Sequence, residues 1–326
     1  MSYFHWRGNF LTYPQFKFVF YIFLVLGILL LILIYLFRED LKIWYSKQLS
    51  NKNNKSTFKN IKTWFIIIGL FLWVFSYISR VIILEIDDYP FKWEFLPFHL
   101  CRLAILATGL ILIFDKTHFS KYFVVPSTLG ALLALAIPDL EGGARDDIIY
   151  NGLNPNAVNN SKKYGINWGY DSHLFWEFLI THFLSLVLPF FLQIIQPKEE
   201  KITIKVLWKS IYLTFSVALF LFLFSWIIYA IVEKYGSPAQ QISWNANWFY
   251  MGHKGISTLG ELTKWPYNII SLTIIFFVLF WLVFVIKIYF EIYSFNLSYQ
   301  NRKIRFFYIK RLKQTVFKEN VIKSKH

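Results

Sequence analysis

Cysteine, methionine and acidic side chains are scarce in this chain: one Cys, two Met and 19 Asp and Glu among 326 residues. A single thiol, Cys101, excludes an internal disulfide, so nothing cross-links the chain to itself. The shortage of acids against 34 Lys and Arg leaves a formal charge of +15. No basic stretch carries a base-stacking pattern, so no nucleic-acid partner is expected. Charged residues form 16% of the chain, against roughly 25% in an ordinary soluble domain. Neither HExxH nor HxxxH occurs, no nucleotide motif is visible, and no internal repeat points to an inverted-repeat transporter. No cofactor is implied.

Apolar side chains are abundant, at 56% of residues, with 21% aromatic. Seven runs are long enough to cross a hydrocarbon core of roughly 30 Å. They lie near Phe16–Phe37, Trp64–Leu84, Leu96–Phe114, Tyr122–Pro138, Leu174–Gln196, Val206–Val232 and Asn268–Phe290. The pattern predicts an all-α, polytopic, multi-pass protein of the cell membrane: a seven-helix domain over residues 1–290 and a basic tail over 291–326. The opening run lacks a small-residue cleavage site and reads as a retained span.

Charge sets the expected orientation. Arg38–Lys62 carries seven Lys and Arg, Pro197–Lys205 three, and the tail from Lys287 ten. Glu85–Phe95 has one Lys against four acids, and the long loops Asp139–His173 and Glu233–Tyr267 carry three basic residues each. The positive-inside rule then puts the N-terminus outside and the C-terminus in the cytoplasm, where the tail meets anionic headgroups. The long outer loops hold Trp168, Tyr170, Trp244, Trp248, Tyr250 and Trp265, which suit an interfacial aromatic belt or a lid over a site.

Ionisable residues inside spans are costly and mark function. Arg80 lies near the outer end of the second span, His99, Cys101 and Arg102 near the outer start of the third, and Glu177 and His182 in the outer part of the fifth. A rise of about 1.5 Å per residue puts all six roughly 5–12 Å below the outer helix ends. His99 and Cys101 are two residues apart and point to different helix faces, so a base for the thiol has to come from another helix; His182 matches in depth. His173 and Glu177, four apart, are expected to meet on one face. Pro97 suits the first turn of the third span, whose amides and positive end favour a thiolate. A histidine in reach would complete an activated nucleophile.

Four segments carry a family likeness: Leu96-Pro97-Phe98-His99-Leu100-Cys101; Gly130-Ala131 with Pro138-Asp139-Leu140; His182 in its apolar span; and Tyr250-Met251, His253-Lys254 and Trp265-Pro266-Tyr267. In order and spacing the chain resembles the YwaF-like bacterial integral membrane family, related to an animal TMEM-type ether-phospholipid acyltransferase. That resemblance implies Cys101 as nucleophile and His182 as base, acting on acyl esters of membrane phospholipids or lysophospholipids. Arg80, His99, Arg102, His173, Glu177, His253 and Lys254 would support the site or hold the substrate. The expected function is therefore a lipid acyltransferase or lipid hydrolase working at the outer leaflet. Two rivals stand beside it. One is an intramembrane zinc hydrolase using His99, His173, His182 or His253; the other is a non-enzymatic transporter or lipid-binding protein.

Overall fold

The computed structural model describes residues 3–4, 13–50, 60–86, 89, 91–138, 169–196, 203–252, 262, 265–300 and 303–310. Seven of its helical segments are long and apolar enough to cross a membrane: Lys17–Leu36, Ile61–Ile86, Lys92–Ile113, Thr117–Ala136, His173–Ile195, Ile204–Tyr235 and Tyr267–Ile286. They fall on the seven runs read from the sequence, and the chain is a multi-pass membrane protein. The ends are called outer and inner below, following the orientation expected from charge.

Side chains cap the second, fifth and sixth spans, at Asn60, Ser172 and Thr203. Helix α1 (Tyr13–Leu36) is apolar on all sides and passes almost directly into α2 (Arg38–Ser50). The acids Glu39 and Asp40 suit the positive first turn of α2. Asn60 caps α3 (Ile61–Trp73) by accepting from Lys62 N at 2.9 Å, which starts the second span before the apolar run itself. That span continues through a π-helical stretch, Val74–Ile78, into α4 (Ser79–Ile86).

Helix α5 (Leu100–Ile113) follows a 3₁₀ turn at Lys92–Phe95. His99 is its N-cap residue and gives no side-chain cap bond. Pro97 therefore stands two residues ahead of the cap, not in the first helical turn as expected. Helix α6 (Ser120–Ala136) contains Pro126, and α7 (His173–Ile195) contains Pro189 and is capped by Ser172. Helix α8 (Ile204–Tyr235) has 32 residues and so spans about 48 Å, longer than the hydrocarbon layer. The short α9 (Pro238–Ser243) opens with a reciprocal Ser237–Gln240 capping box. Helix α10 (Tyr267–Ile292) leads into an antiparallel hairpin, β1 (Tyr293–Gln300) with β2 (Lys303–Lys310), in register from Tyr293↔Lys310 to Gln300↔Lys303. The membrane domain is all-α as expected; the hairpin in the basic tail was not anticipated.

Close helix approach depends on small residues, since lipid-facing apolar groups gain nothing from mere burial. A Cβ at Gly69 of α3 would lie 2.6 Å from the Gly109 carbonyl of α5. Trp73 Nε1 donates across the same crossing to Leu106 O at 3.2 Å. Helix α7 is the central element. Its apolar face packs on α1 and α6 through Phe20, Ala131, Leu135, Phe175 and Leu186, and its inner end meets α2 and α5 through Tyr45, Ile105 and Leu192.

Two outcomes follow. Gly69→Ala forces a backbone shift and costs about 1–3 kcal/mol, read as a lowered unfolding temperature in detergent. Gly27→Ala meets only the flexible tip of Leu186 and costs less. Orientation is tested on a Cys101→Ala chain carrying Ser50→Cys or Ser237→Cys, both exposed positions. An impermeant thiol reagent on intact cells should label the second and spare the first; the reverse pattern inverts the topology.

Candidate active site

The polar residues gather where the outer halves of α4, α5, α6 and α7 meet. The π-helical stretch inserts an extra residue into the second span, a distortion common at functional sites. It turns Ser76, Ser79 and Arg80 toward α7. There Glu177, fully buried, receives two guanidinium groups. Arg80 Nη1 reaches Glu177 Oε2 at 3.4 Å, and Arg102 Nη2 reaches Glu177 Oε1 at 3.1 Å. Arg80 Nη2 also binds Glu94 Oε2 at 3.0 Å, and Glu94 Oε1 accepts from Tyr89 at 2.9 Å. Two positive and two negative groups balance, which is how a buried charge set escapes its desolvation cost. Arg80 Nε is buried without a hydrogen-bond partner among the described residues. Thr181, one turn below Glu177, lies 3.4 Å from Glu177 Oε1 and 2.9 Å from Ser76 Oγ. With one proton it donates to one of them at a time.

Cys101 lies in the first turn of α5 as a free thiol, part-buried. Its sulfur rests on Gly130 of α6, where a Cβ would stand 2.8 Å away. Its carbonyl accepts from Ser185 Oγ of α7 at 3.4 Å, and the Ser185 carbonyl accepts from Ser127 Oγ of α6 at 2.7 Å. Ser127 and Gly130 share a face of α6, so one contact surface both ties the helices and makes room for the sulfur. The first bond within α5 runs from Leu103 N to His99 O at 2.9 Å. The amides of Leu100, Cys101 and Arg102 precede it, so they lie at the positive helix end beside the thiol.

His182 is one turn above Ser185 on the same helix and is 8% exposed. Its Nδ1 lies 2.6 Å from the Phe178 carbonyl. A carbonyl only accepts, so Nδ1 carries the proton in the neutral ring and Nε2 holds the lone pair, the tautomer a base needs. The thiol makes no hydrogen bond to His182 among the described residues. His182 does lie within electrostatic range of Glu177, Arg102 and Arg80, and His99 within range of His182, Arg102 and Arg80.

The remaining expected site residues divide. His99 caps α5 with its ring 5.7 Å from that of Trp93. His173 is brought near Glu177, but the expected pair does not form: His173 Nε2 bonds Ser79 Oγ at 2.9 Å instead. Ser79 gives its own proton to Phe75 O at 2.7 Å, so His173 donates. Rings of Tyr3, Phe4 and Phe75 surround that imidazole, and Tyr3 O accepts from His173 N at 2.9 Å. His253 and Lys254 lie outside the described residues. Trp248 is fully buried; it packs on Phe98 and Phe224, and its Nε1 donates to Trp93 O at 3.1 Å. The segment Trp244–Gly252 thereby sits against the start of α5, and Asn268 of α10 holds it through Gly252 O at 3.1 Å. Among the described residues, no three His, Cys, Asp or Glu side chains gather to hold a metal ion.

Glu94, Tyr89, Ser76, Thr181, Ser127 and Ser185 escaped the sequence reading. Thr181 and Ser185 were detectable as polar residues one and two turns after Glu177 in an apolar span. Glu94 gave no such signal. Gly130→Ala should press a methyl group on Sγ and cost about 1–3 kcal/mol. The check is a slower reaction of Cys101 with N-ethylmaleimide at unchanged helix content.

Neither a curated protein nor a solved structure matches the chain. A family model does, over residues 10–284, which reaches into all seven spans and takes in Arg80, Glu94, Cys101, Arg102, Glu177 and His182. The chain belongs to the TMEM164 family.

Proposed function

We propose that the protein is a membrane acyltransferase or lipid hydrolase that opens phospholipid acyl esters at the outer leaflet through Cys101 and His182. One observation carries the reading: the lone thiol and an imidazole with Nε2 unprotonated stand on facing helices, one turn from the Ser185–Cys101 tie. Before substrate arrives the thiol rests on Gly130. The reading requires it to turn to Nε2 when an ester enters, and catalytic hydrogen bonds are commonly loose until then.

The chemistry follows from these groups. His182 Nε2 takes the thiol proton, and Sγ attacks the ester carbonyl carbon. The amides at the start of α5 stabilise the oxyanion. The carbon–oxygen bond breaks, the lysolipid alkoxide leaves with the proton from His182, and the acyl group stays on Cys101 as a thioester. An incoming hydroxyl gives its proton to His182 and attacks the thioester, releasing the thiolate, which takes that proton back from His182. A lysophospholipid hydroxyl completes transfer; water completes hydrolysis. His253 and Lys254 are proposed to contact the headgroup, and the ether-phospholipid relation noted in the sequence suggests such lipids as substrates.

In proteoliposomes Cys101→Ala should abolish acyl transfer, and His182→Ala should slow it by about 10²–10⁴-fold, the usual contribution of a general base. Both variants should retain wild-type expression and helix content. Undiminished activity in Cys101→Ala rules out covalent catalysis at this thiol.

A further inference from the structure

Helix α5 is tied to α7 at two points that bracket His182. Above it, Arg102 binds Glu177; below it, Ser185 binds the carbonyl of Cys101. The ties lie eight residues apart on α7, about 12 Å of helix, but on α5 they land on adjacent residues. Side chains reaching from both directions converge on one turn of α5, which fixes how far it slides along α7. Glu177 makes the upper tie a charged one. It accepts from Arg102 on one helix and Arg80 on another, while Thr181 braces it from its own helix.

From this arrangement we infer that Glu177 is a positioning residue: its carboxylate sets the register of α5 against α7 and neutralises Arg102 beside the thiol. It touches neither Cys101 nor the ester. The inference rests on the Cys101–His182 reading for its catalytic consequence, though the coupling between Glu177 and the thiol stands apart from any reaction. Among the described residues the groups facing Glu177 are Arg80 from α4, Glu94 from the 3₁₀ turn, His99 at the N-cap of α5, Arg102 from α5, and His173, Thr181 and His182 from α7. Losing the carboxylate leaves two guanidinium groups with one acid between them. The excess positive charge favours the thiolate of Cys101, while the loosened register keeps the sulfur from turning to His182 when an ester enters. Reactivity toward a small reagent and catalysis therefore move in opposite directions, which plain destabilisation does not produce.

The full chain in liposomes supplies the test, because Cys101 is its only cysteine and N-ethylmaleimide reads that thiol alone. Glu177→Gln should raise the labelling rate several-fold across neutral pH. It should lower kcat about 10²-fold, as misplacement near 1 Å does, and leave KM within about threefold. Glu177→Gln with Arg102→Gln removes the charge imbalance as well as the tie. Labelling should return toward wild type while kcat stays low, and this pair carries the test if the single variant does not fold. Wild-type labelling and kcat in folded Glu177→Gln overturn the inference, as does wild-type kcat in the double variant. A wild-type chain without acyl transfer whose labelling still responds to Glu177→Gln sinks the acyl-transfer reading and keeps the coupling. Intact acyl transfer with labelling indifferent to Glu177 does the opposite.

Discussion

A carboxylate with no solvent exposure, held by two arginines from two other helices, is the constraint around which the outer half of this bundle is arranged. Removing one partner of such a set costs about 3–5 kcal/mol, because the survivor stays buried and unpaired. The helices supplying these groups cannot drift apart independently. Helix α4 comes in through Arg80, α5 through Arg102, and the 3₁₀ turn before α5 through Glu94. The π-helical stretch fits the same demand, since it ends just before Ser79 and Arg80 and contains Ser76, the partner of Thr181.

A second layer of bonds lies deeper and is neutral. Ser127, Ser185 and the Cys101 carbonyl form a relay across α6, α7 and α5. Serine-to-carbonyl bonds of this kind add about 0.6 kcal/mol each between membrane helices. Their value is in placement more than strength, because they sit where Gly130 leaves space for the sulfur. Above both layers, Trp248 and the Trp244–Gly252 segment pack against the start of α5 and its partly buried preceding loop. Thiol, imidazole, first-turn amides of α5 and charge set are thus gathered at one end of the bundle.

Much of the fold was legible because apolar length is a direct physical requirement of a bilayer. Even the short fourth run became α6, since Pro126 interrupts a helix without ending it when neighbours hold the chain. Counting residues from the outer ends put Arg80, His99, Cys101, Arg102, Glu177 and His182 in one zone, and Arg80, Arg102 and Glu177 do meet in the structure. Pairing was not legible. Spacing offered His173 to Glu177, but the π-helical stretch put Ser79 opposite His173 and left Glu177 to the arginines. Glu94 carries no period and sits in an acidic loop that reads as topology signal. Gly130 lies in a family-like segment, while its contact with Cys101 depends on how α6 crosses α5. Composition left Trp248 to an interfacial belt or a lid; its full burial and its bond to Trp93 O show that it packs against the protein's own side chains.

The central claim is that Cys101 becomes covalently acylated during turnover. It is tested most directly by mass spectrometry of the intact protein, acid-quenched while turning over phospholipid in liposomes. The account predicts an added mass of one acyl chain on the Cys101 peptide, removed by neutral hydroxylamine and missing in Cys101→Ser. Turnover with Cys101 unmodified at every quench time, or an acyl adduct on another residue, would contradict it.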